Sequence, residues 1–242
     1  MQCNRKGKGT PLVFMPGLFA GGWIWDAVID KCVAHGFSTV VFRDAIPIAF
    51  GCDLKQAMTK LDSILAECEE KPFLVGNSLG ALIALQYVVE NPSLIRGLVM
   101  SGAPGMIELD TVPLKKMHTG EIQYARELMD LIFHDKSKIP ERGVTEIMRL
   151  YGERQTFGNI VSWYSYCRKY DVSGALRKLA LPIQFIWGQY DRVTPVEPWM
   201  GLAEQSKNIR ATVIYECGHS PMVESPERFV EAMLPMLHGH VA

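Results

Sequence analysis

Short runs of apolar residues recur along the chain, and each is followed by a stretch whose apolar positions fall three and four apart. Residues 12–15, 37–42, 73–75, 95–100, 183–187 and 212–215 have the length and the β-branched or aromatic content of strands. Between them lie amphipathic patterns: Leu54, Ala57, Met58, Leu61, Ile64, Leu65 and Cys68 form one stripe at helical spacing. Strand then helix, repeated, predicts a mostly parallel sheet with helices on both faces, because parallel strands need crossovers that cover the sheet. The texture changes over residues 103–179, where Pro, Met, charged and aromatic residues alternate without a strand-like run. That segment reads as a helical lid inserted into a core made of residues 1–102 and 180–242.

Composition narrows the class. The chain has 242 residues, 48% hydrophobic and 21% charged, with 25 Lys+Arg against 26 Asp+Glu and a formal net charge of −1. A unit of this size buries roughly 70–75% of its unfolded surface, so disorder is excluded and no staple is needed. A near-zero charge gives no footing on a nucleic-acid backbone. The apolar stretch that follows Arg5, Lys6 and Lys8 is broken by Pro16, Gly17, Gly21 and Gly22, unlike a secretory signal, and no window has the length of a membrane span. Cys3, Cys32, Cys52, Cys68, Cys167 and Cys217 are scattered without a C-x-x-C pair. They read as reduced thiols of a cytoplasmic protein, with neither a zinc site nor a disulfide framework. Neither nucleic acid nor membrane is an expected partner, and the oligomeric state stays open.

The sharpest local signal is Gly76-Asn77-Ser78-Leu79-Gly80, a G-x-S-x-G pattern between a strand-like run and a helical one. A strand-to-helix elbow holds its serine in a strained conformation that exposes Oγ, and the flanking glycines remove side chains that would collide there. A serine hydroxyl is a weak nucleophile and needs a base and an acid to orient that base. Asp191 and His219 each stand just past a predicted strand, where active sites of open α/β sheets gather. The chain order Ser78, Asp191, His219 suits this design. Read singly, Ser78 and Asp191 are also ordinary helix-capping residues, and Glu108 and Asp110 compete with Asp191 for the acid's place. Two N–H donors should face the developing oxyanion: those of Leu79, at a helix N-terminus, and Leu18, in the loop after the first strand.

With these residues in hand, the sequence resembles the α/β-hydrolase superfamily, in its small capped branch of serine esterases and C–C bond hydrolases. The resemblance runs from about residue 11 to residue 237. It rests on the elbow at residues 76–80, the loop at residues 15–22 followed by Trp23 and Trp25, the segment Trp187-Gly188-Gln189-Tyr190-Asp191-Arg192-Val193-Thr194-Pro195, and Gly218-His219. It implies Ser78 as nucleophile, Asp191 as acid, His219 as base, and the Leu18 and Leu79 N–H groups as the oxyanion hole. Three departures stand out. Pro16-Gly17 replaces the usual His-Gly of the oxyanion loop. Residues 43–51 replace the usual Asp-x-x-Gly-x-Gly-x-Ser turn, implying a differently built and more apolar wall of the pocket. Few residues precede the first core strand, so the opening hairpin should be mostly absent and the sheet should have about six strands.

For the pocket, Phe19 and Asn77 flank the expected reaction centre, and Trp163, Tyr166 and Tyr170 share one face of a lid helix. Such a stripe suits either substrate contact or packing of lid on body. Met106, Met117, Met129 and Met148 suit an adaptable apolar wall. Any of Arg126, Arg149, Arg154 and Arg168, facing inward, would hold a substrate carboxylate. The expected function is hydrolysis of an ester or thioester of a small, mostly apolar acyl compound through an acyl-enzyme, with no metal or organic cofactor. The alternatives are C–C bond hydrolysis of a vinylogous diketo acid, and a non-catalytic small-molecule binding module on the same fold.

Overall fold

The computed structural model describes residues 3–107 and 120–239. The core is one seven-stranded sheet: β1 (Cys3–Lys6), β2 (Pro11–Met15), β3 (Ser38–Phe42), β4 (Phe73–Asn77), β5 (Gly97–Ser101), β6 (Ile183–Gly188) and β7 (Ile209–Ile214). Their spatial order is β1-β3-β2-β4-β5-β6-β7. Six strands are parallel, and β1 runs antiparallel to β3 with Cys3 opposite Phe42 and Lys6 opposite Thr39.

Strands β2, β4, β5 and β6 are buried along their whole length. Each feeds two cores: Val13 and Met15 of β2 face one way into a cluster with Phe42, Leu74, Met100 and Phe185, whereas Leu12 and Phe14 face the other with Val75, Val99, Ile186 and Phe229. That two-sided burial is why these strands read as unbroken apolar runs. The edge behaves differently. The β1 side chains are exposed except for the half-buried Cys3, and charged Arg5 and Lys6 stand at the open margin, which discourages pairing with another chain.

On one face lie α1 (Asp26–Ala34) and the last helix; on the other lie α2 (Ile46–Ala49), α3 (Leu54–Leu65) and α4 (Leu79–Glu90). Asp53 caps α3 by accepting the N–H groups of Lys55 at 2.8 Å and Gln56 at 3.3 Å. Helix α4 is buried nearly all round, since it sits between the sheet and further helices.

Between β5 and β6 the described residues form α5 (Ile122–Ile132), α6 (Glu141–Gly152), α7 (Arg154–Lys169) and α8 (Val172–Leu176). They are seated by polar ties. The Trp23 indole donates to Glu146 of α6, and Arg142 reaches Asp26 at 3.1 Å. From α7, Asn159 Nδ2 donates to Pro47 O at 3.0 Å and Trp163 Nε1 to Gly51 O at 2.6 Å. Residues 43–51, expected as a pocket wall, therefore form the seat of α7. The chain continues through α9 (Glu197–Glu204), α10 (Pro221–Glu224) and α11 (Pro226–Leu237). Among the described residues no helix is long and apolar enough to cross a membrane, and all six cysteines are free thiols.

Candidate active site

Ser78 stands between β4 and α4 with φ 52° and ψ −123°, one of two non-glycine residues at positive φ among the described residues. Such a backbone costs about 1–3 kcal/mol and persists only when its surroundings hold it. Here the Ser78 N–H donates to Ser101 O at 2.8 Å. The glycines of the elbow are required by close approach: a Cβ on Gly76 would lie 2.5 Å from Ala81, and one on Gly80 would lie 2.4 Å from Pro16 O. The Ser78 hydroxyl makes no capping bond to α4, so the helix-cap reading of this serine fails. Half-buried, Ser78 faces a cavity instead.

Asp191 lies three residues beyond β6 and is 6% exposed. Oδ1 accepts the N–H groups of Val193 at 2.9 Å and Thr194 at 2.8 Å; Oδ2 accepts the Thr194 hydroxyl at 2.9 Å and faces His219 Nδ1 at 2.9 Å. This carboxylate closes its own loop and also holds the imidazole, but it caps no helix, since the next one begins at Glu197 with Val196 at its N-cap, so the helix-cap reading of Asp191 fails as well. The loop is pinned by Trp187 Nε1, which donates to Thr194 O at 2.9 Å. His219 is 5% exposed, and its N–H donates to Ile132 O at 2.7 Å. With Nδ1 facing the carboxylate, Nε2 is the ring nitrogen left to exchange a proton.

The cavity that Ser78 and His219 share is lined by Gly17, Leu18, Phe19, Ala20, Trp23, Ile24, Asn77, Met129, Ile132, Phe133 and Ser220. The backbone of the loop after β2 lies against the serine, since a Cβ on Gly17 would sit 3.2 Å from Ser78 Cβ. Leu79 opens α4, where the first N–H groups have no partner within the helix. Its side chain is buried in the core, so only its backbone bears on the site.

The other expected contacts divide. Phe19 and Asn77 line the cavity, but the Asn77 amide is occupied, donating to Ser101 O at 3.3 Å and His219 O at 3.4 Å. It ties the serine's strand to the histidine's loop. Trp163 and Tyr166 lie outside the lining. Trp163 is buried with its indole on Gly51, and its ring meets Tyr166 at 5.6 Å, which meets Tyr170 at 5.5 Å; Tyr170 in turn donates to Gln86 at 2.8 Å. The aromatic stripe is packing of helix on body. Arg126, Arg149, Arg154 and Arg168 are all exposed, and none lines the cavity. Met129 does line it, whereas Met117, Glu108 and Asp110 lie outside the described residues.

Sequence reasoning missed Thr194, Trp23, Ile132, Phe133 and Ser220. Only Thr194 carried a local signal, an Asp followed two and three residues later by N–H groups that can close a turn. The walls from α5 depend on tertiary placement.

Comparison with known proteins agrees with this architecture. Residues 12–232 match the alpha/beta hydrolase family. Pimeloyl-acyl-carrier protein methyl ester esterase of Aeromonas salmonicida is 22% identical over 243 residues, covering 94% of this chain and 95% of that protein. A 2-hydroxy-6-oxononadienedioate/2-hydroxy-6-oxononatrienedioate hydrolase of Pseudomonas sp. is 24% identical over 262 residues, covering 97% and 90%. Among solved structures, the esterase EaEST of Exiguobacterium antarcticum superposes with a TM-score of 0.80 at 20% identity, covering 98% of this chain and 95% of that one. The chain belongs to the alpha/beta hydrolase family.

Proposed function

We propose that this protein is a serine hydrolase cleaving esters or thioesters of small, neutral, mostly apolar acyl groups. The observation that carries the reading is the cavity itself: Ser78 and the Asp191-held His219 meet there, and every other described lining side chain is uncharged. In this reading His219 takes the Ser78 proton as Oγ attacks the acyl carbon, then gives it to the departing alcohol or thiol. It next deprotonates the water that frees Ser78. Asp191 fixes the ring and stabilises the imidazolium that forms in each half-reaction. The Leu18 and Leu79 N–H groups receive the oxyanion. Helices α5 to α8, within residues 103–179, act as a lid whose α5 wall excludes water from the acyl group.

The relative from Aeromonas is by name a methyl ester esterase, which favours an ester as the scissile group. The relative from Pseudomonas is by name a hydrolase of dienedioates, and a dicarboxylate would need a cation to bind. The exposure of Arg126, Arg142, Arg149, Arg154, Arg168 and Arg177, the six arginines within residues 103–179, weighs against that substrate class here. A pure binding module has no need of an imidazole oriented by a buried carboxylate.

The test is turnover of a panel: p-nitrophenyl esters from acetate to octanoate, acyl thioesters of the same lengths, and a vinylogous diketo acid. Short neutral esters or thioesters should be the best substrates. Preference for the diketo acid would overturn the reading in favour of C–C hydrolysis, and no turnover at all would favour the binding module.

A further inference from the structure

One buried carboxylate has no part in the reaction just described. Glu224 ends α10, five residues after His219, and is 2% exposed. Its Oε1 accepts the Gly218 N–H at 2.7 Å, and its Oε2 accepts the N–H groups of His134 at 3.0 Å and Asp135 at 2.8 Å. Burying a carboxylate is costly unless hydrogen-bond donors replace its water. Here peptide N–H groups do so, while Lys138 Nζ donates to the Glu224 backbone carbonyl at 2.7 Å.

The three donors come from two distant places. One is the residue directly before His219, and the others are the corner that follows α5. That corner also takes the His219 N–H on Ile132 O. It packs so tightly on the histidine loop that a Cβ on Gly218 would lie 2.5 Å from Ile132 O and 2.8 Å from His134 N. The last turn of α5 supplies Met129, Ile132 and, just beyond it, Phe133 to the cavity wall. The histidine loop and this cavity wall are thereby fastened to one another by the His219–Ile132 backbone bond and by one side chain, that of Glu224.

We propose that Glu224 is a positioning residue, whose carboxylate sets the placement of the His219 ring relative to Ser78 and to the α5 wall by bridging the Gly218 peptide and the His134–Asp135 corner. The proposal rests on the reading of His219 as the base for Ser78. Glu224 itself touches neither the substrate nor the reacting atoms.

Glu224→Gln keeps the volume but must turn an NH2 group toward either Gly218 N–H or the corner N–H groups, setting donor against donor. Glu224→Asp keeps the charge but is one methylene too short to span both. Each variant is compared with wild type at a temperature where circular dichroism shows it folded. Two quantities are read: kcat and KM for p-nitrophenyl acetate, and the proton resonance of His219 Nδ1–H against Asp191, which needs no substrate. A small displacement of a catalytic group costs up to about 100-fold. The Gln variant should therefore lose about 10- to 100-fold in kcat with a smaller change in KM, and its Nδ1–H resonance should shift or broaden. The Asp variant should lie between Gln and wild type. A role confined to stability would lower Tm while leaving kcat and the resonance as in wild type, and that result overturns the proposal. If wild type turns over no ester, the hydrolase reading has failed; the resonance still decides the positioning role, a displaced signal supporting it and an unchanged one overturning it. Should the Gln variant not fold, the Asp variant carries both measurements.

Discussion

At the scale of residues, Asp191 is the best-determined member of the site, with both oxygens engaged by the Val193, Thr194 and His219 donors. A group so fully occupied cannot rotate away from the imidazole without leaving N–H donors unpaired, which costs about 1–3 kcal/mol each. The three residues should therefore act as one unit. Ser78→Ala and His219→Ala are each expected to lower kcat by roughly 10⁴–10⁶, with the double variant little worse than either, and steady-state kinetics on the best panel ester checks this. Multiplicative losses would contradict it. The positions of Ser78, Asp191 and His219 were legible in the sequence because each follows a strand-like run within a few residues of glycine or proline, where turn chemistry announces a loop. Glu224 was not legible: its donors at His134 and Asp135 lie 90 and 89 residues away, and nothing in the run Ser220-Pro221-Met222-Val223-Glu224 distinguishes a buried acceptor from a surface charge. Trp163 and Tyr166 were ambiguous for a related reason, since helical spacing gives a common face but not what that face meets.

At the scale of elements, the elbow is first of all a packing solution. Gly80 lets α4 approach the end of β2, with no space for a Cβ beside Met15 O and Pro16 O. A glycine-to-alanine change inside an exposed helix normally gains about 0.5–1 kcal/mol, and Gly158 in α7, with nothing near its virtual Cβ, should show that gain. Gly80→Ala should do the opposite, losing about 1–3 kcal/mol because neither carbonyl can give way without moving β2. Urea denaturation of the two variants tests the contrast, and equal signs would contradict the account. The strands were legible in proportion to their burial. Those covered on both faces read as apolar runs, whereas β7, half-exposed over much of its length, was recognised only from its last three residues and Tyr215 beyond. Strand β1 was missed because Cys3-Asn4-Arg5-Lys6 pairs through its backbone alone and offers no apolar signal.

At the scale of the whole molecule, stability and pH are linked through Glu224. Burial raises its carboxyl above the ordinary value of 4.5, outweighing the Asp135, Gly218 and His134 N–H groups that pull it down. A folded-state value above the unfolded one means that the folded protein binds this proton more tightly. The contribution is present below pH 4.5 and is lost as pH rises through the folded-state value. The Tm of wild type minus that of Glu224→Gln should therefore increase as pH falls from 7 toward 4.5; a constant or decreasing difference in thermal scans would contradict this. The same bridge joins the α5 wall to the histidine loop, so the parts that would select substrate and perform chemistry are held together at this corner. The central claim is that Ser78 is a nucleophile activated by His219, and intact-protein mass spectrometry after treatment with a fluorophosphonate measures it most directly. The account predicts a single covalent adduct, mapped by peptide digestion to Ser78, absent in Ser78→Ala and formed far more slowly in folded His219→Ala. An unlabelled wild-type protein, or an adduct that survives Ser78→Ala, would contradict it.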